Sequence, residues 1–229
     1  MQYNPKIDTE GNYLPFYGWS VISMVKSDLK IIENIIKQNS VLNNYFSALP
    51  SSSYHMTVYN IWANRSQLIS HQLKNLINSY DVEMIDIFKK NSEIGFFNPN
   101  GCINDLLYKL QYYCKDTWDQ ITFKIDAVEF TGNTLQIILK KSPSFNNVDK
   151  VRNKMKQIVE KNDNMKKYHI TLAYKYKDID LIDKDKIIEE ISIFNRLLKD
   201  QTVTIKTPFV CYFSSMKLFE PFENHLDSP

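Results

Sequence analysis

The sequence predicts one α+β domain over residues 1–229, built from two halves, and three observations predict it. Strand-like and helix-like segments alternate along the chain. No low-complexity linker divides it. An uncommon strand pattern occurs once in each half, as "YHMTVY" from Tyr54 and as "YHITLA" from Tyr168.

Taken in order, Phe16 to Val25 ("FYGWSVISMV") reads as a buried strand bounded by Pro15 and by Ser27-Asp28, which suit a helix N-cap. Leu29, Ile32, Ile35 and Ile36 follow at helical spacing, and a second apolar set runs from Val41 to Leu49. His55 to Trp62 is the next strand. Residues 66–80 return to helical spacing through Ile69, Leu73, Leu76 and Ile77, residues 82–95 fit neither period, and Leu106, Leu107 and Leu110 mark another helix before Trp118. "ITFKIDAVEF" and "TLQIILKK" flank a turn at Gly132-Asn133 and read as a hairpin. Val148, Val151, Met155, Ile158 and Val159 mark a helix behind an Asn146-Asn147 cap. The second His/Thr strand follows, then a helix from Asp183 to Lys199. Two strands close the chain, "TVTIKTPFVCYF" and "MKLFEPF".

Composition narrows the function classes. A net charge of +2 gives no whole-molecule attraction to nucleic acid or anionic membrane, so a DNA duplex is not an expected partner and any anionic ligand must be held locally. No apolar run approaches the roughly 20 residues of a membrane helix, and the polar "MQYNPKIDTEGNY" does not read as a signal peptide. Cys102, Cys114 and Cys211 are odd in number and lack C-x-x-C spacing. They fit a reducing, intracellular (cytoplasmic) compartment and neither a disulfide scaffold nor a structural zinc site.

The repeated pattern carries the chemistry. With four histidines and ten threonines in 229 residues, about 0.2 H-x-T triplets arise by chance, so two in matched context stand out. On a strand, side chains alternate faces. His55, Thr57 and Tyr59 then share one face and Met56 and Val58 the other; His169 and Thr171 oppose Ile170 and Leu172. Burying an imidazole and a hydroxyl without partners is costly, which a cleft avoids. Two such strands side by side on a cleft floor present two imidazoles and two hydroxyls to one point. That set suits phosphodiester cleavage: a neutral His takes a proton from water or a ribose hydroxyl, and a protonated one gives a proton to the leaving oxygen. Near its ordinary pKa of about 6.5, imidazole supplies both forms. The threonine hydroxyls donate to non-bridging phosphate oxygens. No carboxylate cluster or H-x-x-x-H helix accompanies the histidines, so neither a metal nor another cofactor is expected.

These residues resemble the 2H phosphoesterase superfamily, which includes bacterial 2′-5′ RNA ligase-like proteins and cyclic phosphodiesterases. "NPKIDTEGNYLPFYG", "LPSSSYHMTVYN" and "YHITLAY" are similar in order and wording to its DUF1868-type branch. The resemblance implies a bilobal α+β fold, with two pseudo-symmetric halves and antiparallel sheets around a central cleft and helices outside. It implies metal-independent cleavage of a cyclic phosphate or 2′-linked phosphodiester in a nucleotide, cyclic oligonucleotide or RNA end. His55 and His169 would be the catalytic pair and Thr57 and Thr171 the phosphate-binding hydroxyls, with acid and base unassigned. That branch tends to place a small polar residue after Pro-Phe-x-Gly. Here Trp19 stands there, narrowing the cleft or offering a stacking surface.

Around the pair, Tyr59 is either a base-stacking or phosphate-bonding residue or an ordinary strand tyrosine. Tyr174 falls on the face opposite His169 and reads as core, unless a bulge rotates it. Lys175 shares the His169 face but lies roughly 20 Å along it, so it lines a longer groove or is solvated. Trp62 and Trp118 read as core, His71 and His225 as surface. A second function class uses the same cleft without turnover, as a nucleotide- or RNA-phosphate-binding module.

Overall fold

The computed structural model describes residues 6–16, 18–63, 102–159 and 167–222, with the side chains of Trp62 and of residues 102–105 left aside. The expected helix over residues 66–80, the ambiguous residues 82–95, His71 and His225 lie outside the described residues.

The elements in chain order are β1 Gly18–Met24, α1 Lys30–Gln38, α2 Ser40–Asn43, β2 Phe46–Ala48, a 3₁₀ turn at Ser51–Ser53 and β3 His55–Ala63. They continue as α3 Cys102–Lys115, β4 Gln120–Thr131, β5 Thr134–Leu139, α4 Phe145–Val159 and β6 His169–Lys175. Then come α5 Leu181–Leu198, β7 Thr202–Lys206, β8 Phe209–Ser215 and β9 Leu218–Pro221. The expected mixed α+β class is what the chain adopts.

All pairings in the nine-stranded sheet are antiparallel, in the order β7-β4-β5-β6-β3-β1-β8-β9, with β2 added alongside β6. Four strands lie on each side of the β6–β3 seam. Each half pairs its seam strand with an earlier strand, β1 with β3 across α1, α2, β2 and the 3₁₀ turn, and β5 with β6 across α4. The sheet curls into a half-barrel, because β7 at one edge reaches back to the end of β1. Val25 bridges Ile205, the Lys26 amide donates to the Thr204 carbonyl at 2.8 Å, and the Ser23 hydroxyl donates to the Lys206 carbonyl.

Local chemistry explains most boundaries. Asp28 Oδ1 accepts the Lys30 amide at 2.9 Å and opens α1. Gly132 turns the hairpin at φ +64°, and the Asn133 amide donates to the Thr131 carbonyl at 2.6 Å. Two boundaries depart from the sequence reading. The amides of Phe145, Asn146 and Asn147 already bond to the carbonyls of Ser142, Pro143 and Ser144, so Asn146-Asn147 lies inside the first turn of α4 instead of capping it. The segment "TVTIKTPFVCYF" is two strands, not one. Pro208 cannot donate to a ladder, and the chain leaves β7 at one sheet edge for β8 on the other side of β1.

One hydrophobic cluster joins both halves. Met56, Val58, Ile170 and Leu172 are fully buried in it, and α4 packs on β3 with Val148 and Met155 inward. Trp118 is core, as read from the sequence, with Nε1 donating to the Lys206 carbonyl at 2.9 Å.

Candidate active site

β3 and β6 meet at a single pair, Met56 opposite Ile170. Carrying that register one residue each way sets His55 beside Thr171 and Thr57 beside His169. Met56 and Ile170 point into the core, so all four polar side chains occupy the other face, and all four are half-buried. A local two-fold axis through the Met56/Ile170 pair exchanges His55 with His169 and Thr57 with Thr171. The histidines are diagonal neighbours, about 7–8 Å apart at their backbones, which leaves room for a phosphate between the rings.

The same symmetry extends outward in both strands. His55 Nδ1 lies 2.8 Å from the Ser53 carbonyl, and the Lys167 carbonyl acts on His169, each two residues back. A ring whose Nδ1–H is held by a carbonyl presents Nε2 to the cleft. On the His55 side the support continues: Glu33 Oε2 accepts the Ser51 amide at 2.7 Å and Lys37 holds the other carboxylate oxygen at 2.5 Å. This fixes the 3₁₀ turn that carries Ser53.

Each seam strand also bulges one residue past its threonine. Thr57 pairs with Ile22 and Tyr59 with Val21, leaving Val58 extra; Thr171 pairs with Gln136 and Ala173 with Leu135, leaving Leu172 extra. A bulge reverses the alternation beyond it. Two expectations change as a result. Tyr59 turns into the core and is completely buried, so it lines no substrate site. Tyr174 is buried in the core, as expected, but the bulge turns it to the His169 face, where its hydroxyl meets Lys6. The Val58 carbonyl accepts Arg152 Nε at 2.8 Å, from α4 behind the sheet.

The other low-lying candidates also move. Trp19 is 3% exposed and belongs to the core, where β1 is covered from both neighbours, so it offers no stacking surface. Lys175 pairs with Asp178 at 3.1 Å, and its strand segment lies beside β2, away from the two histidines.

Sequence reasoning missed three contributors. Phe219 on β9 packs on His55, with ring centroids 4.2 Å apart. Gln136, half-buried opposite Thr171, offers a carboxamide that donates to Thr134 Oγ1 at 2.7 Å. Lys6 donates to the Tyr174 hydroxyl at 3.2 Å and lies about 5 Å from the ring centres of Phe16 and Tyr174. None is near an H-x-T motif in sequence, although Lys6 lies within the quoted "NPKIDTEGNYLPFYG"; only sheet closure brings them to the seam.

Burial, foremost, holds the His55 pKa down to about 4. The Ser53 carbonyl opposes the shift, and the charges of Lys6 and of His169 add to it. Burial likewise lowers His169, with the Lys167 carbonyl opposing and Lys6 and Arg152 adding to the effect. The free site therefore favours two neutral rings at neutral pH, a departure from the ordinary imidazole assumed from sequence. Among the described residues, no three His, Cys, Asp or Glu side chains gather as a metal site requires. A separate cavity of about 630 Å³ between α3 and α4, lined by Tyr108, Tyr112 and Lys154, includes none of the His/Thr set.

Comparison with known proteins agrees with this picture. The family described as "2H-phosphodiest: Domain of unknown function (DUF1868)" matches residues 6–86. "Uncharacterized protein 127L" of Invertebrate iridescent virus 6 is 31% identical over 183 residues, covering 77% of this chain and 74% of the relative. A crystal structure of a conserved protein of unknown function from Agrobacterium tumefaciens str. C58 superposes with a TM-score of 0.63 at 14% identity. It covers 96% of this chain and 90% of that one, a likeness of fold. The chain belongs to the DUF1868 family of 2H-phosphodiesterase-type proteins.

Proposed function

We propose that this protein is a metal-independent phosphodiesterase acting on a cyclic phosphate or 2′-linked phosphodiester of a nucleotide, cyclic oligonucleotide or RNA end. The observation that carries the reading is the β3–β6 register, which sets two H-x-T motifs head to tail across one seam. One imidazole removes the proton of the attacking water or hydroxyl, the other protonates the leaving oxygen, and the two threonine hydroxyls hold the non-bridging oxygens as charge builds. Half-buried Phe219 packs beside His55, backed by the buried Phe213 and Phe16, and its ring is suited to stack on a nucleobase. Buried free thiols at Cys114 and Cys211 suit a reducing compartment, and no described helix is long and apolar enough to cross a membrane.

The test is product formation over a panel of 2′,3′-cyclic, 2′-5′-linked and cyclic dinucleotide substrates. The wild type should cleave at least one with or without EDTA. His55→Ala and His169→Ala should each lose about 10²–10⁴ in turnover, and Thr57→Val and Thr171→Val smaller factors. Full turnover in either histidine variant removes the acid/base assignment. Tight binding of one substrate without cleavage by the wild type would leave the non-catalytic reading in its place.

A further inference from the structure

We infer that Lys6, seated on Tyr174, is a third anion-binding group of the cleft, whose ammonium meets the non-bridging oxygens of a phosphate bound between the two histidines. The inference rests on the phosphate-centred reading of the site and adds the residue that matches the substrate's charge.

Three observations converge on it. First, the bulge at Leu172 sends Tyr174 to the face that carries His169 and Thr171, so whatever touches the Tyr174 hydroxyl is brought to that face. Lys6 Nζ does so at 3.2 Å. Second, the segment bearing Lys6 is firmly placed. Ile7 bridges Tyr13 and is buried, the Lys6 carbonyl accepts the Leu14 amide at 3.0 Å, and Phe16 joins Ser214 at 3.0 Å. Asp8 Oδ1 accepts the amides of Glu10 and Asn12 at 2.9 and 2.8 Å, closing the turn through Gly11 at φ +88°. Third, the Lys6 charge bears on both imidazoles, whereas Arg152 bears on His169 alone.

The chemistry is complementary. The His/Thr set offers hydrogen bonds but, with both rings neutral, no formal positive charge for an anionic phosphate. An ammonium on a phenol supplies it: Lys6 donates to the Tyr174 oxygen, which leaves the phenolic proton to be donated to the ligand, and places its charge beside the phosphate. A bound anion would then offset the Lys6 field at both rings and favour an imidazolium, so the substrate itself raises the general acid. A phosphomonoester product, with one more negative charge than the diester, should bind more tightly than substrate.

The experiment uses the full chain and two probes, inorganic phosphate and a nucleoside 2′-monophosphate. It follows the His55 and His169 ring resonances by NMR while pH and probe are titrated, in wild type, Lys6→Met, Lys6→Arg and Lys184→Met. Lys184 is an exposed lysine on α5 that serves as a charge control. Lys6→Met should weaken probe binding by at least about tenfold and raise both imidazole pKa values in the free protein. Lys6→Arg and Lys184→Met should stay within about threefold of wild type. Wild-type probe affinity in Lys6→Met would overturn the inference. Equal losses in Lys6→Met and Lys6→Arg with the fold intact would also overturn it, because charge would then not be the determinant. Lys6-dependent probe binding in a protein that cleaves no substrate would uphold this inference while removing the catalytic reading.

Discussion

The His55 ring makes the folded chain resist protonation, and that resistance has a measurable cost in stability at acid pH. The unfolded imidazole titrates near 6.5, and the folded one is held down to about 4. Between those values the unfolded chain binds the extra proton, so stability is fully present above pH 6.5 and falls as pH drops toward 4. From pH 7 to pH 5 the ratio of the two binding terms corresponds to about 2 kcal/mol. Solvent at the exposed rim of this half-buried ring trims that to roughly 1–2 kcal/mol. The assay is urea denaturation of wild type and His55→Gln at both pH values. The variant cannot titrate there, while carboxylates such as Glu33, also lowered in the folded chain, are common to both proteins. Wild type should lose roughly 1–2 kcal/mol more than the variant between the two pH values. Parallel losses would refute the claim that the site holds His55 neutral.

The rate profile should show the same environment. kcat/KM, which reads the free enzyme, requires one neutral and one protonated ring. Its optimum should therefore lie between pH 4 and 6.5, falling roughly tenfold per unit above; a kcat/KM bell centred above pH 7 would contradict the assignment. On the proposed reading His55, packed under Phe219, would serve as the base and His169 as the acid. An activated nitrophenyl ester, whose leaving group needs no proton, should then rescue His169→Ala and not His55→Ala, and rescue of both or neither would sink the division of roles. Arg152→Met strips the donor from the Val58 bulge carbonyl and should cost roughly 1–3 kcal/mol in urea denaturation; unchanged stability would show that the bulge is held by packing alone.

The fold class and the site were legible to different depths, for physical reasons. Alternation showed β3, β4 and β6, because a half-buried strand must alternate, β1 read as a buried strand from its apolar run, and the paired H-x-T motifs pointed to β3 and β6, which the fold sets side by side. Alternation also misplaced Tyr59 and Tyr174, because a bulge adds a residue without leaving a local sequence mark. Overlaying the two motifs carries the missing information: Tyr59 aligns with Ala173, a buried position, and Asn60 aligns with Tyr174, the position turned toward the cleft. Lys6, Phe219 and Gln136 were illegible for another reason. They come from elements 33 or more residues away from the histidines they serve, and only the strand order assigns them.

The two-fold seam gives equivalent histidines equivalent neighbours, and a symmetric pair cannot by itself decide which ring gives a proton and which takes one. The difference must come from groups that the symmetry does not repeat. Phe219 covers His55 and Arg152 acts on His169, while Gln136 faces Thr171 where fully buried Ile22 faces Thr57. On the proposed reading, the duplicated strands would seat a phosphate between two rings and two hydroxyls. The unduplicated elements, the N-terminal segment with Lys6 and the β8–β9 edge with Phe219, would then match its charge and set the direction in which the leaving group departs. On this division, substitutions in the H-x-T motifs should abolish chemistry on every substrate, whereas substitutions at Lys6, Phe219 or Gln136 should change which substrate is taken and at what pH.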